Sequence, residues 1–365
     1  MKTEPAIPQH QLQQQINQNY CINLQALEFL PVGEGSWCFH GQGKSEVFIR
    51  LVKEKTKAEK TVLLAKSLSD QGLPVLPSLA DKSGNLMGEI EGCGLIIYPF
   101  IYGSTLMNRE LSNKQASPFR REIGVTVARI HALTEPTDNQ RYSRQSNRNH
   151  HSPVRQFDLP REDFARFQVE SLSILSPDDH QPLVRQHDDT LVAELSDFIQ
   201  PRQKVLRNLV KVTRQLGQTL RLEALDYVLC HGDIHEDNIL LSDSGEIFII
   251  DWDNAIFAPK ERDLFFFGGN EDYLTGYFGG QTDSASGAGT CVVDQTIIDY
   301  YVLEWALQEI VDYGNRILFD THFDMEGRVD AWQQFQRLFE PGQDVDFALT
   351  LVDKMEREVV ENPRR

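Results

Sequence analysis

Three residues in the stretch 228–253 have the types and spacing for phosphoryl transfer: Asp233, Asn238 and Asp251. That reaction needs a carboxylate to orient and deprotonate a hydroxyl, and hard oxygen ligands to hold Mg²⁺ on nucleotide phosphates. Asp233 is the candidate base, and Asn238 and Asp251 are the candidate metal ligands. The stretch reads V-L-C-H-G-D-I-H-E-D-N-I-L-L-S-D-S-G-E-I-F-I-I-D-W-D, with apolar runs separating polar clusters. Tyr227–Cys230, Ile239–Leu241 and Ile247–Ile250 predict short strands. Ser242-Asp243-Ser244-Gly245 predicts a turn, because Gly245 can take positive φ. Two strands joined by that turn hold Asp233 and Asn238 at one end and return Asp251 beside them. Any one of these residues alone reads as a turn former; two required spacings met together point to chemistry.

The spacing D-x-x-x-x-N followed by a strand-terminal Asp is that of the protein-kinase catalytic loop and its metal-binding Asp. Here the loop is H-G-D-x-H-x-x-N and the later triplet is D-W-D rather than D-F-G. With the continuation Ala258-Pro259-Lys260-Glu261-Arg262-Asp263-Leu264, the stretch 228–264 resembles the aminoglycoside phosphotransferase family, kinase-like enzymes that phosphorylate small-molecule hydroxyls. The likeness extends over most of residues 27–340, with its specific motifs concentrated in 228–264.

That resemblance implies an α+β, protein-kinase-like fold of two lobes. A small antiparallel β-rich lobe, residues 1–102, would grip ATP, and a hinge at about 98–103 would lead to a mostly helical lobe, 103–365, that binds the acceptor. ATP is the implied co-substrate and Mg²⁺ the implied metal. His235 would shape the catalytic loop, and Asp263 would support it by accepting backbone hydrogen bonds. The family places a phosphate-binding lysine where this chain has Arg50, a planar fork in place of a point charge. Lys53, three residues along, is the substitute for that role, and it would face the other side of the strand unless a bulge intervenes. Glu59, the one acid in the first half of the following helix, is the implied ion-pair partner of that cation. Gly35 and Ser36 would lie over the phosphates, and backbone groups near Pro99 and Ile101 would read the adenine edge.

The elements that must position these residues follow in chain order. A Gln-rich opening has helical spacing through Leu12, Ile16 and Tyr20. Strands are predicted at Leu27–Val32, Trp37–His40 and Val47–Val52, the first two joined by Gly33-Glu34-Gly35-Ser36, whose backbone N–H groups could face anionic oxygens. Thr56–Asp70 has helical spacing, and Gly72 ends it. Leu86–Glu89 and Leu95–Tyr98 complete a small sheet, and Pro99 takes the chain out of it. A helix is predicted over Pro118–Leu133, with His131 as a buried structural histidine. Gln140–Arg161, including His150-His151, reads as a loop. Helices follow at Glu162–Ile174 and, as one long amphipathic run, Thr190–Leu222. Gly279–Gly289 is small and Gly-rich, either a lid or a plain loop. Asp294–Leu318, Gly327–Phe339 and Val345–Val360 complete a helical C-terminal region. By resemblance, Asn270, Glu271, Asp272 and Glu304 are the candidates for holding a cationic acceptor.

Composition limits the alternatives. The chain has 365 residues, 40% hydrophobic and 25% charged, which fits a soluble globular protein of two lobes. No apolar run has membrane-spanning length, and the N-terminus lacks a signal-peptide core. Five scattered cysteines fit reduced thiols in the cytoplasm. A net charge of −18 argues against a nucleic-acid surface and favours a cationic partner. The expectation is a small-molecule O-kinase, a monomer or weak homodimer, whose acceptor is a spectinomycin-like aminocyclitol. Within the family the alternatives are a metabolite hydroxyl (choline, a sugar, methylthioribose, homoserine) or a protein Ser/Thr. A nucleotide-binding pseudokinase scaffold is the alternative of another class. Arg50 favours it, and the intact Asp233/Asn238/Asp251 set opposes it.

Overall fold

A computed structural model describes residues 4–32, 35–134, 154, 157–165, 190–279, 293–319 and 324–361. Its N-terminal elements are α1 (Gln9–Asn19), β1 (Leu24–Leu30), β2 (Ser36–Gly43), β3 (Val47–Val52), α2 (Lys55–Asp70), β4 (Gly88–Ile90) and β5 (Cys93–Pro99). Then come β6 (Gly103–Thr105), α3 (Asn113–Ala132), α4 (Thr190–Ile199), α5 (Gln203–Leu220) and β7 (Val228–Cys230). The chain continues with β8 (Ile239–Ser242), β9 (Ile247–Ile249), β10 (Ile256–Ala258), α6 (Glu261–Leu264) and α7 (Glu271–Gly279). It closes with α8 (Gln295–Leu318), α9 (Met325–Arg337) and α10 (Asp344–Glu361). The fold is α+β. No helix among the described residues is long and apolar enough to cross a membrane.

The chain divides into two compact units, one of residues 4–162 and 225–292, the other of residues 1–3, 163–224 and 293–365. In the first, a five-stranded antiparallel sheet has the order β1-β2-β3-β5-β4. Its strands alternate as half-buried strands must: Val47, Ile49 and Leu51 of β3 are buried, with Phe48 and Arg50 on the other face. Helix α1 covers the apolar face, where Leu12, Ile16 and Tyr20 join Phe39, Ile49, Leu51, Leu95 and Ile97 in one core. Beyond this sheet, β8 pairs with both β6 and β9, and β7 pairs with β10. In the second unit, α4, α5, α8, α9 and α10 share a core that includes Leu195, Leu206, Leu307, Ile310, Phe335 and Val352.

Several elements differ from the sequence reading, each for a local reason. Strand β1 begins at Leu24 rather than Leu27. The β4–β5 hairpin turns on Glu91 (φ 48°) and Gly92 (φ 80°), the pair of positive φ values that matches strand twist in a two-residue turn. Helix α3 starts at Asn113 and not at Pro118, because Gln115 Oε1 accepts from the Ser112 backbone N–H and caps the earlier start. Pro118 therefore sits inside the helix. The run Thr190–Leu222 is two helices, broken by a 3-10 turn at Gln200–Arg202 that contains Pro201. Residues 162–165 are not helical, and the remainder of the helix expected over Glu162–Ile174 lies outside the described residues. So do Gly33, Glu34, His150, His151 and residues 280–289. Strands β6 and β10 and helix α7 carried no expectation.

Helices α3 and α7 cross at backbone contact through two glycines. A Cβ on Gly124 would lie 2.1 Å from Tyr273 O, and one on Gly276 would lie 2.0 Å from Arg121 O. Neither gap can be relieved by a side-chain rotation, since the obstacle is main chain. Gly124→Ala is expected to lower unfolding stability by about 1–3 kcal/mol, read as a lower urea midpoint. An unchanged midpoint would mean the helices do not cross this closely.

Candidate functional site

The site is built on the segment from β7 to β10 in the first unit. After β7 the chain must turn sharply, and Gly232 does so with φ 80°. Its α-carbon faces Asn254 O so closely that an added Cβ would sit 2.3 Å away. Conformation and space both demand glycine there. The turn is anchored from below by the buried Asp263 carboxylate of α6. Its Oδ2 accepts from His231 N at 2.9 Å, and its Oδ1 accepts from Gly232 N at 2.8 Å. His131 Nε2 of α3 lies 3.0 Å from the same Oδ2, and His131 Nδ1 lies 2.8 Å from the Tyr277 hydroxyl of α7. His131 is thus buried between an acid and a phenol, the acid 132 residues away in sequence.

The side chain of His231 ties the turn to the next strand. Asp233 N–H donates to His231 Nδ1 at 3.3 Å, so the neutral ring carries its proton on Nε2, which donates to Ile250 O at 2.9 Å. Trp252 packs edge-on against this ring at 4.7 Å. His235 is held at both nitrogens: Asp237 N–H donates to Nδ1 at 3.2 Å, and Nε2 lies 3.2 Å from Asn238 Nδ2 and 3.5 Å from Asp233 Oδ1.

Asp233, Asn238 and Asp251 come together through these contacts. Asn254 Nδ2 donates to Asp233 Oδ2 at 3.1 Å, whereas Asp233 Oδ1 is buried without a hydrogen-bond partner. A buried carboxylate oxygen left in that state is costly unless a ligand completes it. Asn238 Nδ2 donates to Asp233 O at 2.8 Å, which leaves Oδ1 as the acceptor end of the amide. Ile250 N donates to Asn238 O at 3.0 Å and delivers Asp251 next to the loop. Asp251 itself is left-handed (φ 59°, ψ 69°), a conformation that Asp tolerates better than most residues, and its side chain is 46% exposed. An Asn oxygen and an Asp carboxylate form a hard donor set that fits Mg²⁺.

Arg50 reaches this cluster from β3. Its Nη2 donates to Asp253 Oδ2 at 2.5 Å, its Nε donates to Ser36 Oγ at 2.9 Å, and its Nη1 lies 3.6 Å from Asp251 Oδ1. Burial alone would depress the guanidinium pKa, but Asp251 and Asp253 outweigh it and hold Arg50 firmly protonated. Burial also pushes the neighbouring Tyr98 phenol up to about 12. The expected pairing of Arg50 with Glu59 is not formed: Glu59 is exposed on α2, and the partners of Arg50 are Asp251 and Asp253. Lys53 lies past the end of β3, with its ammonium 5.0 Å over the Trp37 ring. Gly35 precedes β2 at a bend, and Pro99 ends β5. Ile101 follows Phe100, whose N–H donates to Glu46 O at 3.1 Å.

The four acceptor candidates are not equivalent. Asn270 Oδ1 accepts from Asp272 N at 3.0 Å, a local cap at the start of α7. Hydrogen bonds from Ser117 and Arg121 hold the Asp272 carboxyl below the usual carboxylate range. The Arg121 contact is 3.1 Å, so Asp272 already has a cation. Glu271 is exposed. Glu304 is buried in α8 of the other unit, 3.4 Å from the Tyr300 hydroxyl. Residues with no prior expectation also enter the site: His231, Asp253 and Asn254. Asp253 closes the D-W-D triplet, and Asn254 extends it to D-W-D-N. His131, Cys230 and Asp263 lie within 4.8 Å of one another, but each is engaged already. Burial pushes the Cys230 thiol well up, and it donates to Ala258 O and Pro259 O.

Burial would raise the Asp263 pKa, but the hydrogen bond and charge of His131 and the loop N–H groups outweigh it, leaving the carboxyl below the ordinary value of 3.8. A depressed folded pKa contributes stability that is fully present above 3.8 and is lost as pH falls through the lower folded value. Urea midpoints of the wild type should therefore drop in that acid window. Asp263→Asn should be less stable at neutral pH, with the gap to wild type narrowing on acidification. A gap independent of pH would show that the charge of Asp263 does not hold the turn.

The profile of the phosphotransferase enzyme family matches residues 48–269. Protein StrN of Streptomyces griseus is 27% identical over 301 residues, covering 80% of each chain. Among solved structures, spectinomycin phosphotransferase APH(9)-Ia in complex with ADP and spectinomycin superposes with a TM-score of 0.74 at 23% identity, over 95% of this chain and 99% of that one. A microcompartment-associated aminopropanol kinase superposes with a TM-score of 0.59 at 12% identity, over 96% and 98%. The five-stranded sheet and helical remainder are thus the kinase-like fold of these enzymes, and the chain belongs to the phosphotransferase enzyme family.

Proposed function

We propose that this phosphotransferase moves the γ-phosphoryl group of ATP to a hydroxyl of a small polar acceptor. The observation that carries this reading is Asp233. One of its carboxylate oxygens is fixed by Asn254 and the other is buried with no hydrogen-bond partner, beside Asn238 and Asp251. That free oxygen is placed to accept the hydrogen bond, and then the proton, of an acceptor hydroxyl. As the new oxygen–phosphorus bond forms, the bond to the β-phosphate bridging oxygen breaks and ADP leaves. His235 orients Asp233 from 3.5 Å and shapes the loop. Asn238 Oδ1 and the Asp251 carboxylate would hold Mg²⁺, which supplies neutralisation of phosphate charge. Arg50 contacts the phosphates from the sheet, with Ser36 beside it, and backbone groups at 99–101 take the adenine edge. Asp263 supports the loop from beneath.

The acceptor we favour is cationic, an aminocyclitol of the spectinomycin type. Support comes from the likeness to APH(9)-Ia and from the net charge of −18, which draws cations towards the protein. A small amino alcohol is the second reading: Asp272 is already paired with Arg121, so fewer carboxylates remain for a polycation. The reaction would run in the cytoplasm, where ATP is supplied.

The test is ADP release from Mg²⁺-ATP in the presence of spectinomycin, other aminoglycosides or small amino alcohols. Spectinomycin-dependent release supports the first acceptor, and release with amino alcohols alone replaces it with the second. Asp233→Asn should lower turnover by about 100-fold or more while nucleotide affinity stays near wild type. Turnover retained in that variant would remove Asp233 from the chemistry.

A further inference from the structure

We propose that Asp253 is a positioning residue for the nucleotide phosphates: it holds the Arg50 guanidinium in place, the part expected of an acid on α2. The inference rests on the phosphotransferase reading above and concerns the same site.

Three nitrogens of Arg50 each face a different oxygen, at 2.9 Å on Ser36, 2.5 Å on Asp253 and 3.6 Å on Asp251. The side chain is only 13% exposed, so water does little to screen these contacts. A planar fork gripped on more than one nitrogen has its orientation set as well as its place. A lysine ammonium at position 50 would be a single point of charge and could not be oriented in this way.

Asp251 and Asp253 share one turn but are not interchangeable. Asp253 makes the short contact and is 26% exposed, whereas Asp251 makes the long one and is 46% exposed. Two carboxylates facing one guanidinium leave one negative charge over. The looser Asp251 is therefore the group left to meet a second cation, while Asp253 keeps Arg50. The turn is itself rigid: Trp252 between them is buried, and its Nε1 donates to Ile249 O at 3.2 Å. One short turn thus carries both the candidate metal ligand and the holder of the phosphate cation. Arg50 thus meets its carboxylate on this turn and not on α2, where Glu59 stands exposed.

A double-mutant cycle on nucleotide binding tests this. Calorimetry would measure the affinity for Mg²⁺ with a non-hydrolysable ATP analogue in wild type, Asp253→Ala, Arg50→Ala and the double variant. Each single change should weaken binding about tenfold or more, as expected for loss of a charge-assisted contact. The double variant should bind no more weakly than Arg50→Ala, because Asp253 acts only through Arg50. The acceptor KM and the Mg²⁺ concentration for half-maximal binding should not move in Asp253→Ala. Asp253→Asn, which keeps an acceptor oxygen without the charge, should fall between wild type and Asp253→Ala. It also serves if the alanine variant does not fold.

Equal weakening by Asp253→Ala with and without Arg50, or a changed Mg²⁺ requirement, would make Asp253 a direct ligand and overturn the proposal. Wild-type affinity in both Asp253 variants would overturn it too. A wild-type chain that binds no Mg²⁺-nucleotide would sink the phosphotransferase reading itself, and the positioning role with it. A failed cycle in a wild type that does bind sinks the positioning role alone.

Discussion

The buried carboxylate of Asp263 is the contact on which the arrangement depends. Removing a carboxylate from water is costly unless its lone pairs are met by donors. Here the donors are His231 N, Gly232 N and the ring of His131. The charge is satisfied only if the β7 turn keeps its shape, and the turn keeps its shape only if Gly232 occupies positive φ against Asn254 O. His131 is in turn held by Tyr277, so α3 and α7 must approach closely. The glycine crossing at 124 and 276 permits that approach. A network that is half satisfied would be worse than none, which is why these pieces act together.

From this base the candidate site residues are placed by short-range contacts. His231 links the turn to Ile250 O, Asn238 O accepts from Ile250 N, and Asn254 returns to Asp233. The site therefore spans about twenty residues of chain but uses few flexible side chains. Arg50 is the exception, arriving from 203 residues before Asp253.

Local chemistry was legible in the sequence, and distant pairing was not. The β8–β9 hairpin could be read because Ser242-Asp243-Ser244-Gly245 has turn residues and the flanking runs are apolar. Asp233 and Asn238 could be picked out by their spacing in the loop before β8, and Asp251 because the hairpin returns it beside Asn238. Strand β10 is only three residues long, Ile256–Ala258, too short to show a period. The start of α3 is hard to read because Pro118 is a good first-turn residue, while the Ser112/Gln115 capping box that sets the true start lies upstream of it. The break at Pro201 leaves little trace in the sequence, because a 3-10 turn barely disturbs the apolar phase from α4 into α5. The partner of Arg50 could not come from any spacing rule, since Glu59 and Asp253 are both acids and only the fold brings one of them to the guanidinium.

The pairing of β8 with β9 has a consequence for how this site can change over generations. Leu241 faces Ile247, Leu240 faces Phe248 and Ile239 faces Ile249, and that register alone fixes how far Asn238 stands from Asp251. The turn between them lies outside the chemistry, but the fold holds it: Gly245 sits at φ 90° and Asp243 pairs with Arg109 at 3.0 Å. Its length cannot drift. One inserted residue carried into either strand would send every side chain beyond it to the opposite face. A lineage could thus exchange a residue of the turn at the cost of a surface contact and keep its enzyme, yet lose it with a single added codon.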